Sequence, residues 1–194
     1  MNRWIAVAGL VAALAFVAAG CSTGPDDGGG NGGEAPKTGG ITLKKYPTAD
    51  DWDPVGTPVR YPAGAAELDI YAGENISAQL RANLLDSLLV KQYAHHGWEK
   101  VVDKDGKSKP DIRRIRVELY IHQAPVNAGK TFQQWHRGSS ITDLGEKAVA
   151  EEDAIIFLRG SIVCRLVPLK FQPKTAGEAT IKIGKAIDAW LQGK

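Results

Sequence analysis

The segment from Arg113 to His122 shows the clearest alternation of hydrophobic and polar residues in the chain. Successive side chains of a β-strand point to opposite faces of a sheet, so a period of two predicts a strand. One face would carry Ile115, Val117, Leu119 and Ile121, and the other Arg114, Arg116, Glu118, Tyr120 and His122. The pattern therefore predicts a strand with one core face and one polar face.

A hairpin and a helix follow nearer the C-terminus. In "AIIFLRGSIVCRLV" two apolar runs meet at Arg159-Gly160, where glycine supplies the positive φ of a tight turn. Thr175 and Glu178 have the spacing of a capping box and predict where the helix starts. Its apolar face would consist of Ala179, Ile183, Ala186, Ile187, Trp190 and Leu191.

The middle of the chain predicts two more helices and one more strand. Residues 75 to 86 have helical spacing, and "SLLVKQYAHHGW" after them predicts a strand paired with residues 113 to 122, with a helix over 86 to 96 as the alternative. A short helix from Asn127 to Arg137, capped by Asn127, would bury Phe132 and Trp135. Residues 46 to 64 read as a proline-rich lead-in, and "HRGSS" with "ITDLGE" as a loop. Together these elements predict an α+β fold, a mostly antiparallel sheet with helices packed on it.

The N-terminus has the layout of an export signal. Arg3 precedes an uncharged run that ends in small residues before Cys21. The run is short of the roughly 20 strongly apolar residues of a spanning helix, although a retained transmembrane helix and an ordinary secretory signal are alternatives. The small residues before Cys21 resemble the lipobox of bacterial lipoproteins. That resemblance implies cleavage before Cys21, diacylglycerol on its sulfur, and delivery to the outer membrane if the cell has two membranes.

The residues after Cys21 predict a tether. Gly, Pro, Asn and Asp dominate "STGPDDGGGNGGEAPKTGG", and such residues bury too little apolar surface to fold. A flexible segment of about twenty residues would hold a domain roughly 25 Å from the membrane. We therefore predict a signal peptide over 1–20, a lipidated cysteine and disordered Gly-rich tether over 21–45, and a single α+β domain over 46–194.

Charge argues against nucleic acid as a partner. The formal net charge is +2, and removal of residues 1 to 20 takes away only Arg3 and leaves +1. Acidic and basic residues are mixed along the chain, so it has no basic stretch that would follow a phosphate backbone.

A relaxed phosphate-loop pattern, Ala124-x-x-x-x-Gly129-Lys130-Thr131, follows the predicted strand. Three observations argue against nucleotide binding: an exported domain meets little ATP, no βαβ series is present, and no downstream apolar strand ends in the Asp that would hold Mg²⁺. We therefore predict that Gly129 and Lys130 lie on the exposed side of a helix and that no nucleotide binds.

No residue spacing indicates a metal, a cofactor or a catalytic centre. His95 and His96 are adjacent and would point apart, while Glu118 and His122 would lie roughly 13 Å apart along one strand. Cys164 alternates with apolar neighbours in the predicted hairpin, where a free cysteine behaves as a small hydrophobic residue. The sequence therefore predicts neither a metal site nor a cofactor.

Four segments and a helix cover most of residues 61 to 191: "YPAGAAELDIY", "IRVELYIHQAPVNAGKTF", "DLGEKAV", "IIFLRGSIVCRLV" and the closing amphipathic helix. Together they resemble a family of uncharacterised bacterial lipoprotein and secreted domains. The arrangement is also similar to PsbP-like α/β/α sandwiches. The resemblance implies a three-layer fold and brings no catalytic residues with it.

These observations predict a membrane-anchored envelope lipoprotein that is not an enzyme and acts as a binding or structural module. Its partners would be the membrane, through Cys21, and another envelope protein. One alternative is an exported hydrolytic enzyme whose site is assembled from distant residues. Another is a small-molecule or metal-binding protein with a pocket on the polar strand face, formed by Arg116, Glu118, Tyr120 and His122.

Overall fold

The computed structural model describes residues 46–96, 101–102, 105–109, 113–152, 154–169 and 173–193. Cys21, the predicted signal peptide and the predicted tether lie outside the described residues. The strands are β1 (Trp52–Pro62), β2 (Leu85–His95), β3 (Val101–Val102), β4 (Ser108–Lys109), β5 (Arg114–His122), β6 (Ser139–Ser140), β7 (Lys147–Ala150), β8 (Ile155–Arg159) and β9 (Ile162–Leu169). The helices are α1 (Ala66–Ala72), α2 (Glu74–Ala82), α3 (Pro125–Trp135) and α4 (Pro173–Gln192).

Seven of these strands form one sheet in the order β1-β2-β5-β9-β8-β7-β6, and every neighbouring pair is antiparallel. The predicted α+β fold is therefore confirmed. Residues 85 to 95 form a strand rather than a helix, and β2 pairs with β5 as predicted. The hairpin of β8 and β9 turns at Gly160, whose φ of 53° is the left-handed backbone that glycine adopts without strain.

Helices cover both faces of the sheet. On one face, α4 packs its Ile183 and Ile187 into a core with Val117 and Leu166. On the other face, Leu80 of α2 and Phe132 of α3 belong to a second core together with strand residues such as Ile156. The central strand β5 is therefore buried on both sides, and its polar face is covered by the layer that contains α1, α2 and α3.

The predicted lead-in is wrong, because residues 52 to 62 form β1 at one edge of the sheet. Its three prolines, Pro54, Pro58 and Pro62, suggested irregular chain. An edge strand pairs on one side only, so it can accommodate residues that lack an N–H group. A change of register between Val55 and Val59 interrupts its pairing with β2. Part of the predicted loop "HRGSS" is likewise a strand, β6.

Both predicted helix caps are also wrong. The residue before α3 is Ala124, and Asn127 lies inside the first turn. Helix α4 begins at Pro173, two residues before Thr175. Both α3 and α4 start at a proline. The fixed φ of proline suits the first helical position, where a backbone N–H group would have had no partner within the helix. Among the described residues, no helix combines the length and apolar character needed to cross a bilayer.

Candidate functional site

Glu118 lies at the centre of a cluster of polar side chains between the sheet and the helices. Its carboxylate accepts hydrogen bonds from the hydroxyls of Tyr71 at 2.6 Å and Tyr120 at 2.8 Å. Arg116 Nε lies 2.8 Å from one carboxylate oxygen, and Arg165 Nη1 lies 3.4 Å from the other. Only 1% of Glu118 is exposed. A carboxylate this deeply buried needs paired charges and hydrogen bonds, and these four side chains supply them.

Strand geometry explains most of this cluster. Arg116, Glu118 and Tyr120 alternate along β5, so their side chains leave the sheet on the same face. Arg165 is directly opposite Glu118 on β9, where side chains of opposite charge are close enough to pair. Tyr71 reaches the carboxylate from α1, 47 residues away in the sequence. The cluster therefore joins two neighbouring strands and one helix.

A cavity of about 460 Å³ opens beside these side chains, and we call it the Glu118 cavity. Its size lies within the range of about 300 to 1,000 Å³ that is usual for small-molecule sites. Aromatic and apolar residues form part of its wall: Tyr71, Ala72, Ile76, Tyr120, Trp135 and Ile156. Polar and charged residues form the rest: Gln79, Arg116, Glu118, Gln134, Arg137, Glu151 and Arg165.

The charges around the cavity are unequal. Three arginines and two glutamates line it, so the lining has a formal charge of +1. Burial, followed by the neighbouring charge of Glu118, raises the pKa of both Tyr71 and Tyr120. Both hydroxyls therefore remain protonated and donate to Glu118 at neutral pH. The Arg116 guanidinium lies over the Tyr71 ring at 5.7 Å, which adds a cation–π contact.

His122 does not join this site, although it belongs to the predicted binding face. Its side chain is fully buried, and its Nδ1 lies 2.9 Å from the backbone oxygen of Asn83. Burial lowers the pKa of His122, and the hydrogen bond to Asn83 only partly opposes that shift. His122 is thus a neutral side chain packed where β5 meets the turn after α2. Of the predicted face, the cavity contains Arg116, Glu118 and Tyr120.

Sequence reasoning missed Tyr71, Trp135 and Arg165 as members of the site. Arg165 left a signal, because it is the charged residue within the apolar run "IVCRLV". A charge in the middle of a buried strand needs a partner, and β5 offered Glu118. Tyr71 and Trp135 left no comparable signal, since aromatic residues on amphipathic helices more often belong to the core.

The phosphate-loop pattern has a different local structure from a phosphate loop. Gly129, Lys130 and Thr131 lie within α3, which already begins at Pro125. A phosphate loop needs non-helical backbone N–H groups that surround the phosphates before the helix starts. The hydroxyl that would contact Mg²⁺ belongs to Thr131, which is buried and accepts a hydrogen bond from Asn83 Nδ2 at 3.0 Å.

The other residues considered for metal binding or catalysis do not form a common site in the described part of the chain. Cys164 is fully buried in the core on the α4 side, as expected, and burial raises the pKa of its thiol. His96 Nδ1 lies 2.7 Å from Asp53 at the surface. Within the part of the chain that the structure describes, no three His, Cys, Asp or Glu side chains are grouped so that they could hold a metal ion.

Comparison of this chain with protein-family models, with curated proteins and with solved structures found no match. The lipobox-like N-terminus and the resemblance of the domain to bacterial lipoprotein and PsbP-like domains therefore stay predictions from the sequence.

Proposed function

We propose that this protein is a membrane-anchored envelope lipoprotein whose folded domain binds a small molecule, without catalysis, in the Glu118 cavity. One observation carries the proposal. Glu118 is almost completely buried, yet it holds two arginines that remain 30% and 29% exposed beside an open cavity. Donors fixed in position before a ligand arrives lose less entropy on binding, so this arrangement favours recognition.

The energetic cost of the cluster supports binding over a purely structural role. Burying an ion pair typically stabilises a fold no more than well-packed hydrophobic residues would. Here the network borders an open cavity with aromatic walls, which is the usual composition of a ligand site.

The composition of the cavity supports a non-catalytic role. Among the described residues that line it there is no Ser, Thr, Cys, Lys or His, so Glu118 and Glu151 are the groups that could act as a base or nucleophile. Glu118 is buried and already paired with Arg116 and Arg165, which makes it a poor base. The two tyrosine hydroxyls are already engaged as donors to Glu118. The cavity therefore offers hydrogen-bond donors, positive charge and apolar surface, which suit holding a molecule rather than converting it.

Membrane attachment is the second part of the proposal, and it depends on Cys21. The lipobox-like run ends at this cysteine, and the Gly-rich segment after it would separate the anchor from the domain. Lipid chains contribute about 0.8 kcal/mol for each buried methylene, so two or more chains hold a protein stably at a membrane. In a cell with two membranes, the outer membrane would be the destination.

Replacing Cys21 with serine should release the protein from membranes without unfolding the domain. Serine cannot form the thioether to diacylglycerol, and position 21 lies before the first described residue of the fold. Cell fractionation followed by a high-salt wash measures the effect, with the unaltered protein as the control. A Cys21→Ser protein that still sediments with membranes after the wash would contradict lipid anchoring.

Filling the cavity should remove the bound molecule. Gln79 lines the cavity from α2, so we expect Gln79→Trp to place an indole in its mouth. Ala78 is exposed on the same helix and does not line the cavity, so Ala78→Trp is the matched control. Both full-length variants are purified from the membrane fraction, and small molecules that copurify are measured by mass spectrometry.

We expect a small molecule that copurifies with the unaltered protein and with Ala78→Trp but is depleted at least about fivefold in Gln79→Trp. Circular dichroism verifies that both variants fold. Equal amounts of every copurifying molecule in the two variants would contradict binding in the Glu118 cavity.

A further inference from the structure

The donors that face a ligand in the Glu118 cavity belong mainly to arginine. Glu118 is contacted by one nitrogen of Arg116, Nε, and by one nitrogen of Arg165, Nη1. A guanidinium has five N–H donors, so one contact leaves most of the donors of each group for another acceptor. Such planar, fixed pairs of N–H groups match the two oxygens of a carboxylate, or two oxygens of a sulfonate or phosphate.

The negative charges of the cavity are placed where they oppose an anion weakly. Glu118 is only 1% exposed and is surrounded by two arginines and two tyrosine hydroxyls, so a ligand would meet the arginines before the carboxylate. Arg137, also in the lining, is exposed and adds a third positive charge. Glu151 is the other acidic residue of the lining and is half-buried. The balance of +1 therefore favours a negatively charged ligand.

The apolar part of the cavity wall indicates that a ligand would be bound by apolar contacts as well as by charge. Trp135 is half-buried and meets Tyr120 edge to face, with ring centroids 4.8 Å apart. Ile76 is 42% exposed, although it is a large hydrophobic residue. A site for a small inorganic anion would not need this surface, whereas a flat apolar group would cover it and gain the free energy of leaving water.

We propose that the Glu118 cavity binds a molecule with one anionic group on a flat apolar body, of the class of aromatic carboxylates and sulfonates. The anionic group pairs with Arg116 and Arg165, and the apolar body packs against Trp135 and Ile76. This inference depends on the proposed binding function and adds to it the chemical class of the ligand.

Four probes separate the contributions of charge and apolar surface. Naphthalene-2-sulfonate has both features, naphthalene-2-sulfonamide is its uncharged analogue, 2-naphthylmethylammonium carries the opposite charge, and inorganic sulfate lacks the apolar body. Each is titrated by calorimetry into the full-length protein in micelles of an uncharged detergent, with empty micelles as the blank. We expect the sulfonate to bind about tenfold or more tightly than each of the other three, and its affinity to fall as salt rises.

An arginine variant and a matched control test whether the positive charge of the cavity is responsible. Arg165→Gln should weaken sulfonate binding about tenfold and leave sulfonamide binding nearly unchanged. Arg60→Gln is the matched control, because Arg60 is 56% exposed on β1 and does not line the cavity.

The outcomes distinguish this inference from the function on which it depends. Tighter binding of the sulfonamide or the ammonium probe, or equal loss of sulfonate affinity in Arg165→Gln and Arg60→Gln, would overturn the anionic class while leaving a binding cavity. Binding of none of the four probes at millimolar concentration would also overturn the class. The comparison of Gln79→Trp with Ala78→Trp then decides the binding function separately.

Discussion

Leu166→Ala should lower the free energy of unfolding by about 3 to 5 kcal/mol. Leu166 is fully buried on β9, in the core between the sheet and α4. Truncation removes apolar contacts and leaves a cavity, and the cost grows when the surroundings cannot collapse into it. Strand β9 is paired on both sides, with Val117 of β5 and Ile155 of β8 opposite Leu166, so the backbone has little freedom to move inward.

Denaturant titration of the full-length protein measures this loss. Val126→Ala is a suitable control, because Val126 is 65% exposed and its truncation should change the free energy of unfolding by less than about 0.5 kcal/mol. The sequence places Trp190 on the apolar face of α4, which predicts a similarly large loss for Trp190→Ala. However, Trp190 is only partly buried, and it stacks on Tyr46 with ring centroids 5.2 Å apart, so its loss should be smaller. A change below about 1 kcal/mol for Leu166→Ala would show that the core on the α4 side is assigned wrongly.

Asp188→Asn should destabilise the domain by about 2 to 4 kcal/mol near neutral pH, because it leaves the partly buried Arg159 without its charged partner. Asp188 of α4 is 6% exposed and accepts hydrogen bonds from Arg159 Nε at 2.7 Å and Arg159 Nη2 at 2.8 Å. It also accepts from the backbone N–H of Gly145 at 3.1 Å and from Gln192 at 2.9 Å. The Asp188 carboxylate therefore links α4 to β8 and to the loop before β7 through hydrogen bonds and an ion pair.

The same pair should make stability depend on pH. Burial alone would raise the pKa of Asp188, but the hydrogen bonds from Arg159 and Gly145 outweigh burial, so the pKa in the folded protein lies below its ordinary value. An unfolded Asp titrates near about 3.9, so the stabilisation is fully present above that pH and is lost as pH falls through the lower folded pKa. The difference between the unaltered protein and Asp188→Asn should therefore shrink below about pH 4.

Urea titrations from pH 7 down to pH 3 test both parts of this prediction. Asp50→Asn is the matched control. The Asp50 side chain is 69% exposed, and its carboxylate oxygen lies 3.5 Å from the Nζ of Lys182 in α4. An exposed pair of this kind contributes at most about 1 kcal/mol. A loss in Asp188→Asn no larger than that in Asp50→Asn would mean that the Arg159 pair does not fasten α4.

The hydrophobic pattern correctly predicted those elements that are determined by residues close together in the sequence. The alternation in β5 and the turn at Gly160 depend on a few adjacent residues, and both are where the sequence placed them. Strand β1 was missed because its regular structure depends on pairing with β2. The two strands are separated in the sequence by α1 and α2. The helix starts were missed because proline at the first position replaced the side-chain caps that the spacing suggested.

The candidate site was predictable only in part, for a similar reason. The spacing of Arg116, Glu118 and Tyr120 placed them on one face of β5, but it could not show that helices cover this face. His122 has the same spacing, yet Asn83 holds it in a different, closed environment at the end of the strand. Tyr71 and Arg165 each lie 47 positions from Glu118, so only the folded chain brings them to it.

The edges of the sheet would matter if copies of this protein are anchored at a membrane surface, as we propose. Anchoring of many copies to one surface would raise their local concentration, and an unprotected outer strand could then recruit a strand from a neighbour and begin aggregation. Three prolines and an interrupted register in β1 deprive such a neighbour of a continuous row of hydrogen-bonding groups. At the opposite edge, β6 is only two residues long. Both ends of the sheet are therefore poor templates for growth from one molecule to the next, so crowded copies should stay separate.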